Sequence, residues 1–139
     1  MLNLFSVAEK QDIPVFYFPL PACKSISLFD NGSFFIGLDN SAPITFIEEQ
    51  THLGHELGHC LTGSFYNRYS EYDLKARHER RADIWAIKTM VPAALLVDLL
   101  KSGLSVYEIS ETLSVTEDYI VKAYFYYKDH GVSFSGEAV

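Results

Sequence analysis

Two histidines four residues apart, with a glutamate directly after the first, form the most chemically suggestive pattern in the chain. His55, Glu56 and His59 are arranged as H-E-x-x-H in a segment with helical periodicity. Because a helix turns about 100° per residue, both imidazoles lie on one face and can bind a single metal ion. Glu56 projects away from His55, where its carboxylate can take a proton from a metal-bound water. The spacing therefore predicts metal-assisted hydrolysis, the alternative being a chance match in an ordinary helix.

A third metal ligand is expected further along the chain. Glu79 and Asp83 are four residues apart in a second helical segment, on the side that also carries Ala82 and Ala86. A catalytic zinc site takes three protein ligands and leaves the fourth position to water, so Glu79 is predicted to complete the set around one zinc ion. Asp83 is predicted to accept the free N–H of a liganding histidine and so fix its ring. The alternative is that both acids are solvated and pair with neighbouring basic side chains.

Four further side chains are candidates for contact with a substrate. His52 precedes His55 by one helical turn and could line the cleft, although it would be redundant as a ligand. Tyr66, Tyr69 and Tyr72 lie between the two metal-binding segments, where a phenol could stabilise the oxyanion of a tetrahedral intermediate. Simple packing of these tyrosines is the alternative, and the sequence does not choose among them.

The central segment, residues 46–92, resembles the ImmA/IrrE (DUF955) metallopeptidases. That family usually reads H-E-L-G-H and then E-x-E-A-N-x-F-A-A-x-x-L-M-P, and this chain has H-E-L-G-H followed by E-R-R-A-D-I-W-A-I-K-T-M-V-P. Arg81 replaces the second glutamate, so no role is carried over to that position, and Asp83, Trp85 and Val91 replace Asn, Phe and Met. The resemblance implies a gluzincin-like site in a cytoplasmic regulatory protease. Such proteins often accompany a helix-turn-helix repressor on prophages and mobile elements and inactivate it by cleavage.

The net charge and the apolar runs of the chain argue against two kinds of partner, nucleic acid and membrane. The 11 basic and 18 acidic residues give a net charge of −7, which argues against nonspecific binding to DNA or to anionic membranes. No apolar run approaches the roughly 20 residues of a membrane span. Without a secretory signal pattern, Cys23 and Cys60 are expected to be free thiols in the reducing cytoplasm, with Cys60 in the core.

The fold class expected is α+β, a minimal zincin-like (gluzincin) domain with a small antiparallel sheet packed on the metal-binding helices. Asn31-Gly32 predicts a hairpin between two strand-like runs, and Thr45 and Gly63 predict the start and stop of the histidine helix. Residues 34–38 are the expected edge strand for substrate. One domain is predicted, with a helix and sheet in 1–42, metal helices in 43–92, an all-helical part in 93–130 and a frayed tail in 131–139.

Two of the predicted C-terminal helices, 105–113 and from 116 onward, have the spacing of a helix-turn-helix. Glu117 and Asp118 open the second helix, where a DNA-reading helix would carry basic or amide side chains, so core-covering helices are favoured. The function expected is a zinc metalloendopeptidase acting on a protein substrate, which the family resemblance implies is a helix-turn-helix repressor. The alternatives are a metal-dependent binding or sensor module that regulates its partner without proteolysis, and a regulator that touches DNA.

Overall fold

The computed structural model describes residues 2–66 and 71–134. Its element order is α+β, with one small sheet near the N-terminus and helices elsewhere, which agrees with the coarse fold class expected. The elements are α1 (Leu4–Lys10), β1 (Val15–Phe18), β2 (Ser25–Asp30), β3 (Ser33–Asp39), α2 (Phe46–Thr62), α3 (Tyr72–Met90), α4 (Ala93–Lys101), α5 (Val106–Leu113) and α6 (Glu117–Asp129).

The sheet is mixed, with strand order β1-β3-β2. β2 and β3 are antiparallel, but β1 and β3 are parallel, with Val15 opposite Ile36. The expectation of a purely antiparallel sheet is therefore wrong. The connection from β1 to β2 leaves a space one strand wide between them. β3 fills this space and runs parallel to β1. For the same reason residues 34–38 form the central strand and cannot be the free edge that was expected to bind substrate.

The predicted hairpin is confirmed. Asn31 and Gly32 have φ angles of 50° and 78°, the left-handed pair that a two-residue turn of the favoured hand requires. The turn sets the register of β2 on β3, with Phe29 opposite Phe34 and Asp30 opposite Ser33. This register decides which residues of β2 point towards α2.

One face of α2 packs into the core. Leu53 and Leu57 are fully buried, and they join Ile36 and Leu38 of β3 in the main hydrophobic cluster. Thr45 caps the start of the helix, because its hydroxyl accepts from the Glu48 amide while the Glu48 carboxylate accepts from the Thr45 amide. Gly63 ends the helix in the left-handed conformation, at φ 66°. The helix is thus fixed at both ends around the two histidines.

The C-terminal helices cover the core, as predicted. Ile109 of α5 and Ile120 and Ala123 of α6 are buried in the same cluster. Val132 and Phe134 also pack on it, while residues 135–139 of the expected tail lie outside the described part. Among the helices within residues 2–66 and 71–134, none has both the length and the apolar character needed to cross a membrane.

Candidate metal centre and its cleft

A close approach of α2 and α3 brings the ligand residues together. A Cβ at Gly58 would overlap the carbonyl oxygen of Ala82 and lie 3.0 Å from its Cα. Only glycine fits this contact without separating the helices, and Ala82 is fully buried against it. Glu79 lies one turn before Ala82 on α3, so the same contact carries its carboxylate to the histidines of α2.

The three predicted ligands converge on one point. The Nε2 of His55 lies 2.8 Å from Oε2 of Glu79, and the Nε2 of His59 lies 3.3 Å from that oxygen and 3.2 Å from the Nε2 of His55. Donor atoms about 2.0–2.1 Å from a tetrahedral zinc ion are separated by about 3.3 Å. The two imidazoles and the carboxylate therefore form a group that could hold a metal ion, and their donor types and separations suit zinc.

The second nitrogen of each imidazole is held from outside the cluster. The Nδ1 of His55 lies 2.8 Å from Oδ1 of Asp83, and the Nδ1 of His59 lies 2.5 Å from the carbonyl oxygen of Ser64. Both partners accept hydrogen bonds, so each Nδ1 carries a proton, and Nε2 is the nitrogen that can coordinate an ion once its own proton is displaced. Asp83 lies where the sequence placed it, whereas Ser64 escaped sequence reasoning because any residue can supply a carbonyl.

The charged groups of the cluster shift one another's pKa. Burial of the His55 ring opposes its protonation, but the hydrogen bonds to Asp83 and Glu79 outweigh burial and raise its pKa to about 10. Burial likewise opposes protonation of His59, and its contact with Glu79 raises its pKa overall. Hydrogen bonds from both imidazoles hold the pKa of Glu79 far below its usual range. A binding cation must displace protons from the imidazoles but finds the carboxylate already ionised.

Glu56 is buried beside the cluster and is held by the sheet. Only 5% of its surface is exposed, and its Oε2 accepts a 2.6 Å hydrogen bond from the hydroxyl of Ser25 on β2. The carboxylate lines the same cleft as His55 and His59, so it can reach a water bound at their shared face. Sequence reasoning missed Ser25, because nothing in the β2 pattern distinguishes this serine from Ser27.

The additional candidates have different positions. Tyr66 lines the cleft, and its hydroxyl donates to Oε1 of Glu79, so it braces that carboxylate. Tyr72 is the first residue of α3, is 84% exposed and is not among the residues that line the cleft. Tyr69 lies outside the described residues. His52 lines the cleft on both sides of the cluster, and burial is the main cause of its lowered pKa.

Residues 23–28, which are the start of the edge strand β2 and the two residues before it, form one wall of the cleft. The amide of Asp39 donates to the carbonyl of Lys24, which makes these two residues a hydrogen-bonded pair of the antiparallel ladder. Because the pattern alternates, the backbone groups of Ser25 and Ser27 point away from β3, towards the free edge. An extended chain lying in the cleft would meet these groups.

A second part of the cleft lies on the other side of His55. It is bounded by α6 and the start of α2, and its lining includes Asp83, Asp118, Tyr119 and Lys122. Tyr119 is a functional candidate that the sequence did not reveal. It is 64 residues from His55 in the chain, and no local pattern connects the two.

The chain matches no protein-family model, and no curated protein matches it.

Proposed function

We propose that this chain is a zinc-dependent metalloendopeptidase of the ImmA/IrrE kind, acting in the cytoplasm on a regulatory protein of the helix-turn-helix repressor type. The observation that carries the enzymatic part is the convergence of the His55, His59 and Glu79 donor atoms beside a buried Glu56 at the base of an open cleft. The resemblance of residues 46–92 to that family supports the choice of substrate.

His55, His59 and Glu79 would hold the ion, leaving one position for water. Zinc bound there would lower the pKa of a coordinated water towards about 7 and polarise the carbonyl of the scissile peptide bond. Asp83 and the Ser64 carbonyl keep each imidazole in the tautomer that offers Nε2 to the ion. Tyr66 keeps the second oxygen of Glu79 occupied, so that Oε2 faces the histidines.

Glu56 moves the protons of the reaction. As water attacks the carbonyl carbon, the Glu56 carboxylate accepts one of its protons, and it then gives that proton to the nitrogen of the leaving amine. The C–N bond breaks, and the products are an amine and a carboxylic acid, which releases the second proton of the water to solvent and becomes a carboxylate. The Ser25 hydroxyl orients Glu56 by donating to Oε2 and leaves Oε1 for the water.

Substrate would bind in extended form along β2. The outward backbone groups of Ser25 and Ser27 can pair with a peptide strand, which would extend the sheet across the cleft. This mode needs a flexible or locally unfolded segment in the target, because a helical segment has its backbone groups already paired. It also places the peptide between the sheet and the α2 histidines, where Glu56 lies.

The test uses the full chain loaded with zinc and incubated with the helix-turn-helix repressor encoded beside its gene. Mass spectrometry of the products should show one discrete cleavage, which EDTA abolishes and added zinc restores. Glu56→Gln should bind zinc normally yet cleave at least a hundredfold more slowly, because the general base is lost. Glu9→Gln, at an exposed position of α1 outside the cleft, is the matched control and should retain activity.

Two results would overturn the proposal. Cleavage that persists in EDTA would show that the metal centre is not responsible. A Glu56→Gln variant that still inactivates the repressor fully, with the repressor intact, would show a metal-dependent binding or sensor module instead of a peptidase.

A further inference from the structure

We infer that Tyr119 is a positioning residue of the metal centre, acting on His55 through Asp83. This inference rests on the proposed function only in that the cluster binds zinc, and it does not depend on what the protein cleaves. It assigns a role to α6, a helix that supplies none of the three ligands.

The hydroxyl of Tyr119 lies between two groups of the centre. It donates to Oδ1 of Asp83, the same oxygen that accepts from Nδ1 of His55, and it lies 2.9 Å from that nitrogen. A carboxylate oxygen is only an acceptor, and it can accept both hydrogen bonds at once. The phenol thus fixes the position of the carboxylate oxygen that in turn fixes the His55 ring.

Burial makes this contact costly to lose. Tyr119 is only 8% exposed, and a buried hydroxyl needs a partner. Asp83 is half-buried, and without the phenol its Oδ1 would have one donor fewer and more freedom to rotate away from His55. Lys122 lies 3.4 Å from the other oxygen, Oδ2, and over the Tyr119 ring, so it reinforces the same arrangement from the solvent side.

The start of α6 is attached to α2 at a second point. The amide of Thr116 donates a 3.0 Å hydrogen bond to the hydroxyl of Thr51, one turn before His55 on α2. Tyr119 is three residues after Thr116, so the two contacts lie side by side along both helices. Together they fix the position of α6 along α2 and its rotation about its own axis, as a positioning contact with Asp83 requires.

A second tyrosine on α6 provides the matched control. Tyr127 is 6% exposed, and its hydroxyl donates a 2.7 Å hydrogen bond to the carbonyl of Val91, away from the cluster. Tyr119→Phe and Tyr127→Phe therefore remove the same atom from similarly buried rings on one helix. A loss of stability that both variants share is an effect of removing a buried hydroxyl. A zinc affinity that differs between them is an effect on the metal centre.

The experiment measures zinc affinity by competition with a chromophoric chelator, and the visible spectrum of the cobalt-loaded protein. Tyr119→Phe should raise the zinc Kd roughly 10–100-fold, as loss of a partner that orients a metal ligand does, and should change the cobalt bands. Tyr127→Phe should leave the zinc Kd within about twofold of the wild-type value and the bands unchanged. A double-mutant cycle is completed by Asp83→Ala and by the variant that combines Asp83→Ala with Tyr119→Phe.

The cycle distinguishes the outcomes. If Tyr119 acts through Asp83, the phenol contributes little once Asp83 is absent, so the double variant should bind zinc about as Asp83→Ala does. Equal zinc Kd values for Tyr119→Phe and the wild type would overturn this inference alone, as would fully additive losses. A wild-type chain that binds no zinc would overturn the proposed function itself.

Discussion

The hydroxyl of Ser25 donates a 2.6 Å hydrogen bond to Oε2 of Glu56, and so joins an edge strand of the sheet to the helix that carries both histidines. Ser25 lies opposite Leu38 in the β2–β3 ladder, on the face of the sheet turned to α2. The strand that borders the cleft therefore also holds the carboxylate proposed as the base. A peptide that pairs with β2 would be aligned directly with the group that must act on it.

Ser25→Ala should slow peptide cleavage roughly tenfold with little change in zinc affinity, because it loosens Glu56 and leaves the ligands in place. Single-turnover rates and zinc titrations measure the two effects separately. Ser27→Ala is the control, since Ser27 faces the same way two residues along the strand and does not hydrogen-bond Glu56. A tenfold weaker zinc affinity in Ser25→Ala would contradict the assigned role.

Local patterns were sufficient to predict the elements that carry the site. The i, i+4 spacing of His55 and His59, the Thr45 cap and the Asn31-Gly32 turn each depend on neighbouring residues, and the structure has the predicted helix and hairpin. Glu79 followed from the donor count that zinc requires.

Long-range contacts could not be predicted from the sequence. The parallel pairing of β1 with β3 depends on which strand enters the middle of the sheet, and no residue in β1 indicates it. Ser25 and Tyr119 reach the site from elements 31 and 64 residues away from Glu56 and His55, so only the packed fold reveals them.

Gly58→Ala should destabilise the protein and weaken the metal centre together. The new methyl group would overlap the backbone of Ala82, and overpacking of this kind costs about 1–3 kcal/mol, against a gain of about 1 kcal/mol in helix propensity. Separation of α2 from α3 would also carry Glu79 away from the histidines. Urea denaturation and zinc titration measure the two losses.

Gly54→Ala is the control for that substitution, on the same face one turn earlier. Its methyl group would lie 2.5 Å from Sδ of Met90, at the end of a flexible side chain that can move aside. It should therefore cost less stability than Gly58→Ala and leave zinc affinity unchanged. Equal effects of the two substitutions would show that the close backbone approach at Ala82 is unimportant.

Asp39→Asn should make stability less dependent on pH in the acid range. The Asp39 carboxylate accepts from the amide of Leu20 and from the amide and hydroxyl of Ser41, and these bonds hold its pKa below the usual value. A group whose pKa is lower in the folded than in the unfolded chain stabilises the protein at pH values above its unfolded pKa of about 3.9. This contribution is lost as pH falls through the folded pKa.

The wild type should therefore be more stable than Asp39→Asn at pH 7, and the difference should shrink steadily below about pH 4. Urea unfolding of both proteins in EDTA at a series of pH values measures it, since the remaining titrating groups are common to the pair. A difference that stays constant between pH 7 and pH 3 would show that the Asp39 hydrogen bonds do not favour the ionised form.

Zinc should stabilise the folded chain, and Glu79 should be needed for it. A ligand at a hundred times its Kd adds about 2.7 kcal/mol, which corresponds to a rise of roughly 5–10 °C in Tm for a chain of this size. Glu79→Gln should lose most of that rise, because the amide replaces an ionised ligand that lies between both imidazoles. Glu71→Gln, at the exposed start of the same helix, should keep the full rise. Calorimetric scans with zinc and with EDTA provide the values, and an equal rise in all three proteins would remove Glu79 from the ligand set.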